Sequence, residues 1–246
     1  MCELCRQDSH RGFTPTRRSL LVGGAALGLV WASGVDARET AKTKAPPKPE
    51  NVISPDASLK RLTEGNQRYV EGITRRHDFR HEREALVGGQ NPFAAILSCA
   101  DSRIAPEYAF DTGRGDLFVC RVAGNFATDE TVASLEYGVA VLSVPLILVL
   151  GHDACGAVDA TIKSLKDNKP LPGHMQSLVE GLAPAVKAVA GQSGNMLDNA
   201  IRQNVVDNVA RLKGATPILS AAVDQDRLKV VGGIYRLKDG RVDIVV

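Results

Sequence analysis

Two short strings of this chain carry residue types that can do metal chemistry together. One is Cys99-Ala100-Asp101-Ser102-Arg103, the other Gly151-His152-Asp153-Ala154-Cys155-Gly156. Two thiolates and one imidazole, from Cys99, Cys155 and His152, suit zinc, which accepts sulfur and nitrogen in a tetrahedral shell. Three protein ligands leave a fourth position open, where catalytic sites hold a water whose pKa falls to about 7. Asp101 can bind the metal itself and act as a fourth ligand in a closed state. Arg103 can instead hold that carboxylate in a bidentate pair. The pair keeps Asp101 ionised and free to orient the nucleophile. Either string alone is a weak signal; both together, the second bracketed by glycines, are far more specific.

Such a constellation needs two chain segments that meet. Cys99 follows the apolar run Phe93–Ser98, and His152 follows Leu146–Leu150, which stops at Gly151. Leu117–Cys120, Pro217–Val223 and Lys229–Tyr235 are further apolar runs. Continuous runs of this length read as strands buried on both faces, as in a parallel sheet. Between them, 131–142, 156–165, 178–190 and 197–212 carry helical patterns. The alternation predicts an α/β fold, with a mostly parallel central sheet flanked by helices. Both strings then sit at the carboxyl ends of strands, the edge where such sheets form binding crevices. The helix after Cys155 also favours its thiolate form. An N-terminal helical arm precedes the sheet. Leu59, Leu62, Tyr69 and Val70 share one face of it, Asp56 or Ser58 caps it, and it runs to about Glu71. The charged stretch Arg75–Arg83, with His77 and His81, reads as solvated surface.

The rest of the chain sets the organisation. It has 246 residues, 44% hydrophobic and 24% charged, with 30 basic against 28 acidic side chains. A net charge of +2 gives no electrostatic reason to expect nucleic acid or a membrane surface as partner. Five cysteines, Cys2, Cys5, Cys99, Cys120 and Cys155, are too few and scattered for a disulfide framework. Residues 1–37 read as an export signal. Thr16-Arg17-Arg18-Ser19-Leu20-Leu21 resembles the twin-arginine pattern, and the apolar stretch Leu20–Ala32 is short of the roughly 20 residues a membrane span needs. Val35-Asp36-Ala37 offers a cleavage site, so cleavage is expected after Ala37, with no stable membrane insertion afterwards. Export places the protein in the periplasm or outside the cell. Trp31, the single tryptophan, leaves with the signal. Cys2, Cys5 and His10 make an incomplete zinc set in the same discarded segment. Residues 38–55 are a Lys/Pro-rich linker, and 56–246 form one catalytic domain.

The sequence resembles the β class of carbonic anhydrases over most of the mature chain. The likeness runs through Leu59-x-x-Leu62-x-x-Gly65-Asn66-x-x-Tyr69, Gly89-Gln90-x-Pro92, Cys99-x-Asp101-Ser102-Arg103 and Gly115-Asp116-Leu117-Phe118-Val119-x-Arg121. It continues in Ala123-Gly124-Asn125, Ser134-Leu135-Glu136-Tyr137-Gly138, Gly151-His152-x-x-Cys155-Gly156-Ala157 and Val231-x-Gly233-x-Tyr235-x-Leu237 with Gly240. The resemblance implies a zinc lyase with one ion per chain, in which zinc-bound hydroxide converts carbon dioxide reversibly to bicarbonate and a proton. By position, Gln90 donates a hydrogen bond to substrate. Phe118, Ala123 and Tyr137 line the apolar substrate pocket, and the Gly156 backbone faces the substrate. The resemblance also implies a homodimer or a dimer of dimers, in which Gln90, Phe118 and Tyr137 serve a neighbour's zinc.

The chain departs from the family pattern in places. Val122 replaces a usual Asn. Cys120 replaces a common Val and reads as a small buried hydrophobe. Ile96 stands where some bacterial members have the Trp of a non-catalytic bicarbonate site, so that regulation is not expected. His174 reads as a surface loop residue and not as a proton shuttle. A hydrolase of carbonyl sulfide or carbon disulfide on the same fold, a non-catalytic zinc protein and a thiol redox protein are the competing readings.

Overall fold

The computed structural model describes residues 53–246. The predicted export segment 1–37, with Cys2, Cys5, His10 and Trp31, lies outside the described residues, as does the predicted linker except residues 53–55.

Helix α1 (Pro55–Val70) starts earlier than Asp56 or Ser58 would place it. Ser54 caps it by accepting from the Ala57 N–H, with Pro55 in the first turn. Proline lacks the N–H that would go unpaired there, and its φ is already helical. Ser58 is instead buried, and its hydroxyl donates to the Phe93 carbonyl at 2.6 Å. At Gly65 a Cβ would fall 1.9 Å from the Phe110 carbonyl oxygen, so only glycine lets α1 come this close. Asn66 beside it donates to the carbonyls of Ala109 and Gly240 and accepts from the Val242 N–H.

The charged stretch after α1 is not all coil. Phe79–Leu86 forms α2, capped by the Asp78 carboxylate on the Arg80 and His81 N–H groups. None of its residues is buried, so no apolar stripe marks it in the sequence. His81 stays on the surface beside Asp78, as expected, whereas His77 is half-buried 3.0 Å from Glu82.

The remaining elements alternate as the sequence predicts. They are β1 (Ala94–Ser98), α3 (Pro106–Ala109), β2 (Leu117–Arg121), α4 (Asp129–Ala140) and β3 (Leu146–His152). Then come α5 (Gly156–Lys166), α6 (Gln176–Ala188), α7 (Met196–Lys213), α8 (Ile218–Asp224), β4 (Lys229–Tyr235) and β5 (Val242–Ile244). The sheet order is β2-β1-β3-β4-β5, parallel except for β5. One expected strand is a helix: Pro217–Val223 is largely α8. Leu219 and Ala222, three apart, are its buried residues. Helical spacing and a Ser-Ala-Ala centre decided what a short apolar run alone leaves ambiguous. The edge strand β5 was not expected, because three half-exposed residues carry little pattern.

Strand alternation divides the core between two faces. Ala95, Leu97, Ile147 and Val149 pack with Leu135, Val158, Leu182 and Val205 of α4, α5, α6 and α7. Ala94, Ile96, Leu146, Leu148 and Leu150 pack with Leu62 of α1 and with Ala109 and Phe110. Among the described residues no helix is long and apolar enough to cross a membrane.

One buried ion pair locks α1 to the turn after α3. Arg68 Nε donates to Asp111 Oδ2 at 2.6 Å, and Thr74 and the Arg75 N–H bond the other oxygen. Burial raises the Asp111 pKa, but the Arg68 guanidinium and these two donors outweigh it, and the net shift is downward. The folded value therefore lies below the unfolded one. The stabilisation is complete above the unfolded value, about 4, and is lost as pH falls through the folded value. Asp111→Asn keeps the positive φ of 45° that Asn tolerates. It should cost about 2 kcal/mol near neutral pH. Denaturant titrations of both proteins should show that gap closing below about pH 4.

Candidate metal centre

β1 and β3 are parallel neighbours, with Ser98 opposite Leu150. Their carboxyl ends therefore deliver Cys99 and His152 to the same place, and Cys155 follows as the residue that opens α5. The two sulfurs and a ring nitrogen of His152 all lie within 4.8 Å of one another. The three residues are 4%, 0% and 1% exposed for Cys99, His152 and Cys155. His152 Nδ1 lies 2.8 Å from the Asp153 carbonyl oxygen, which can only accept, so Nδ1 carries the proton. That leaves the lone pair on Nε2, which is buried with no hydrogen-bond partner. An orphaned acceptor beside two thiols is the arrangement a cation satisfies.

The electrostatics point the same way. The hydrogen bond from Cys155 pushes the Cys99 thiol down to about 4, with His152 and the Gly124 N–H adding to it against burial. The same shared proton, then burial, pushes Cys155 up. One thiolate thus forms readily, and a dication bound beside it would draw off the second proton. Burial lowers the His152 pKa, but the Cys99 thiolate outweighs it and the net shift is upward, so a proton competes for the Nε2 lone pair until a dication displaces it. The cluster concentrates negative charge in a dry place, where a soft dication is the complementary occupant.

Asp101 and Arg103 form the pair expected at its rim. Arg103 donates Nε to Oδ1 at 2.9 Å and a terminal nitrogen to Oδ2 at 2.7 Å, and its backbone N–H also reaches Oδ1. Arg103 holds the Asp101 carboxyl well below the usual carboxylate range. Asp101 Oδ2 lies 3.8 Å from His152 Nε2, so the carboxylate stands next to the ligand cluster.

Two supporting residues carry roles that sequence reasoning did not assign. Arg121, at the end of β2, donates to the carbonyls of Cys99, Asp101 and Ile104 and so fixes the Cys99–Arg103 loop. A charged residue ending an apolar strand was the available signal. Gly124 donates its N–H to Cys99 Sγ at 3.3 Å. Its φ of +87° and a virtual Cβ only 2.8 Å from Leu182 require glycine there.

The predicted pocket residues separate into two groups. Gly156 follows Cys155, and Ala123 precedes Gly124, so both lie with the ligands. Gln90, Phe118 and Tyr137 do not reach them in this chain. Gln90 lies before β1, at the end of that strand opposite Cys99. Phe118 is level with Ala95, three residues short of Ser98, which at ~3.3 Å per residue is about 10 Å. Tyr137 packs near it, with ring centroids 6.3 Å apart, and is 49% exposed. Cys120 is half-buried and apart from the three converging ligands, consistent with a packing role. A groove of about 760 Å³ lies elsewhere, between the end of α1, α2 and α3, and contains none of the metal ligands.

A mostly parallel α/β sheet with a buried Cys-His-Cys cluster and an Asp–Arg pair at its carboxyl edge defines a β-carbonic anhydrase type of site. A sequence profile of the carbonic anhydrase family matches residues 94–242. Carbonic anhydrase 2 of Mycobacterium tuberculosis is 40% identical over 189 residues, covering 76% of this chain and 91% of that protein. A carbonic anhydrase of Mycolicibacterium smegmatis is 38% identical over 192 residues, covering 78% and 93%. The solved β-carbonic anhydrase CcaA superposes with a TM-score of 0.61 at 27% identity, covering 77% of this chain and 92% of that one. The chain belongs to the carbonic anhydrase family, in its β class, and is a lyase of the carbonate dehydratase type.

Proposed function

We propose that Cys99, His152 and Cys155 hold one zinc ion per chain, and that Asp101 and Arg103 serve the reversible hydration of carbon dioxide beside it. The observation that carries this reading is the buried, unpartnered His152 Nε2 converging with two sulfurs next to a bidentate Asp–Arg pair. Zinc, when bound, supplies a Lewis acid that makes water nucleophilic near neutral pH. The chain's own groups do the rest. Arg103 fixes Asp101 as an ionised acceptor at the rim, and the Asp153 carbonyl fixes the His152 tautomer. Ala123 and the Gly156 backbone border the space for a small apolar substrate. Metal analysis should find one zinc per chain. Stopped-flow assays should show faster turnover of carbon dioxide than of carbonyl sulfide. The reverse preference would make this a sulfur-compound hydrolase on the same scaffold.

The substrate space is completed by a second subunit on this reading. Gln90 precedes β1 and Phe118 is level with Ala95, both towards the end of the sheet away from Cys99, and Tyr137 packs beside Phe118. Tyr69, Ile73, Phe79 and Tyr108 also present apolar surface around the groove by α1 to α3, at 38%, 54%, 57% and 74% exposure. A homodimer, or a dimer of such dimers, would cover that surface.

Export is likewise a proposal, supported by the Thr16–Leu21 pattern, the short apolar stretch after it and the Val35-Asp36-Ala37 site. Folded export would let zinc protect both thiols before they reach an oxidising compartment. The mature protein should begin at Arg38 and show no tryptophan fluorescence, because Trp31 would be gone. Recovery from the exported fraction with Trp31 still present would refute cleavage after Ala37.

A further inference from the structure

Helix α7 carries two polar residues where an apolar side chain would be expected. Asn204 and Asn208 are 2% and 6% exposed, on a face shared with Ile201, Val205 and Leu212. Burying an amide costs free energy unless it is fully bonded. Both amides are committed to the loop between β2 and α4. Asn208 Oδ1 accepts from the Ala127 N–H at 2.7 Å, and Asn208 Nδ2 donates to Asn204 Oδ1 at 2.9 Å. Asn204 Nδ2 in turn donates to the Gly124 carbonyl at 2.8 Å. Gly124 is the residue whose N–H reaches Cys99 Sγ. The two bonds hold the peptide planes on either side of one Cα. A glycine at φ +87° has few restraints of its own, so something else must set that geometry.

The next residue on α7 acts on the other half of the centre. A Cβ at Gly151, directly before His152, would lie 2.7 Å from Val205 Cγ2. Asn204 and Val205 therefore brace both metal-ligating loops from one turn of one helix. Neither Asn makes a hydrogen bond to a metal ligand or to the Asp101–Arg103 pair.

We propose that Asn204 is a positioning residue of the metal centre, fixing Gly124 so that its N–H is aimed at the Cys99 sulfur. An N–H···S bond stabilises thiolate charge and holds the sulfur in the orientation that faces the metal. Asn208 orients Asn204 and is the second member of the device. The proposal rests on the metal reading above and deepens it.

The test compares wild type with Asn204→Leu, which fills the space and removes the donor. Asn204→Asp keeps the shape and the acceptor for Asn208 and, measured above the pKa of that buried carboxyl, cannot donate to Gly124. Val209→Ala is the control, a buried residue of α7 with no bond to the Gly124 loop. Both Asn204 variants should hold zinc about tenfold or more weakly against a chelator, as losses around ligands generally do. Their cobalt-loaded forms should show a shifted sulfur-to-cobalt charge-transfer band. Val209→Ala should lower the melting temperature without moving either reading. In wild type loaded with cadmium-113, a scalar coupling should connect the metal to the Gly124 amide proton through the sulfur, and folded Asn204 variants should lose it. Zinc affinity and band energy unchanged in a destabilised Asn204 variant would make the residue merely structural and overturn the proposal. Should the variants not fold, absence of the cadmium coupling in wild type would overturn it without them. Wild type that takes up no metal would be a failure of the zinc reading instead.

Discussion

Cys155→Ser should give a folded protein that holds no zinc after dialysis and hydrates carbon dioxide no faster than buffer. The serine hydroxyl stays protonated near neutral pH, so the cluster falls to one thiolate and one imidazole. Zinc in Cys/His peptides binds with about 10–16 kcal/mol, so one thiolate lost is on the order of 4 kcal/mol. At 1.4 kcal/mol per decade that is about a thousandfold in affinity. The fold should survive, because Cys155 is the N-cap of α5 and makes no capping bond with its side chain. Serine is a favoured N-cap, so the helix start gains a partner while the metal site loses one. Circular dichroism like wild type with no metal is the expected pair of results. Full zinc retention would remove Cys155 from the ligand set.

How far the sequence discloses the structure depends on where the controlling interactions lie. The ligands are legible because they stand at or just past the ends of buried apolar runs, Ala-Ala-Ile-Leu in β1 and Leu-Ile-Leu-Val-Leu in β3. Pro217–Val223 reads as a strand, although it is largely α8, because the run is too short for a helical period to show. Helix α2 leaves no apolar signal in the sequence, because it rests on the Asp78 cap and buries nothing. The start of α1 at Pro55 is hidden in the sequence, because that proline reads equally as the end of a linker. Arg121 and Gly124 could be located by motif, but their roles depend on carbonyls and a sulfur brought near by folding. Asn204 gave no signal at all, since an Asn in a helix marks a surface far more often than a buried brace. Gln90, Phe118 and Tyr137 are the converse case, because the resemblance assigns them to a neighbour's zinc, a contact that lies outside a single chain.

Asp101→Ala should separate metal binding from catalysis. The variant is expected to keep one zinc per chain, because Asp101 is held by Arg103 and is not among the three converging ligands. Carbon dioxide hydration should fall by on the order of a hundredfold or more, the usual scale for losing a positioned acceptor or charge at a reacting centre. The reason is geometric. Both oxygens of Asp101 are tied to one guanidinium, and Oδ2 still stands 3.8 Å from His152 Nε2, beside the ligands. A carboxylate so placed accepts a hydrogen bond from solvent at the centre without itself entering the ligand set. Arg103→Met sharpens the point by releasing that carboxylate. Freed from its partner, Asp101 is near enough to turn onto the cation, so this variant should bind zinc more tightly than wild type and still lose activity. Opposite changes in affinity with the same loss of turnover would show that the pair keeps Asp101 available as an acceptor and off the metal. Unchanged turnover in Asp101→Ala at full zinc content would reject that role.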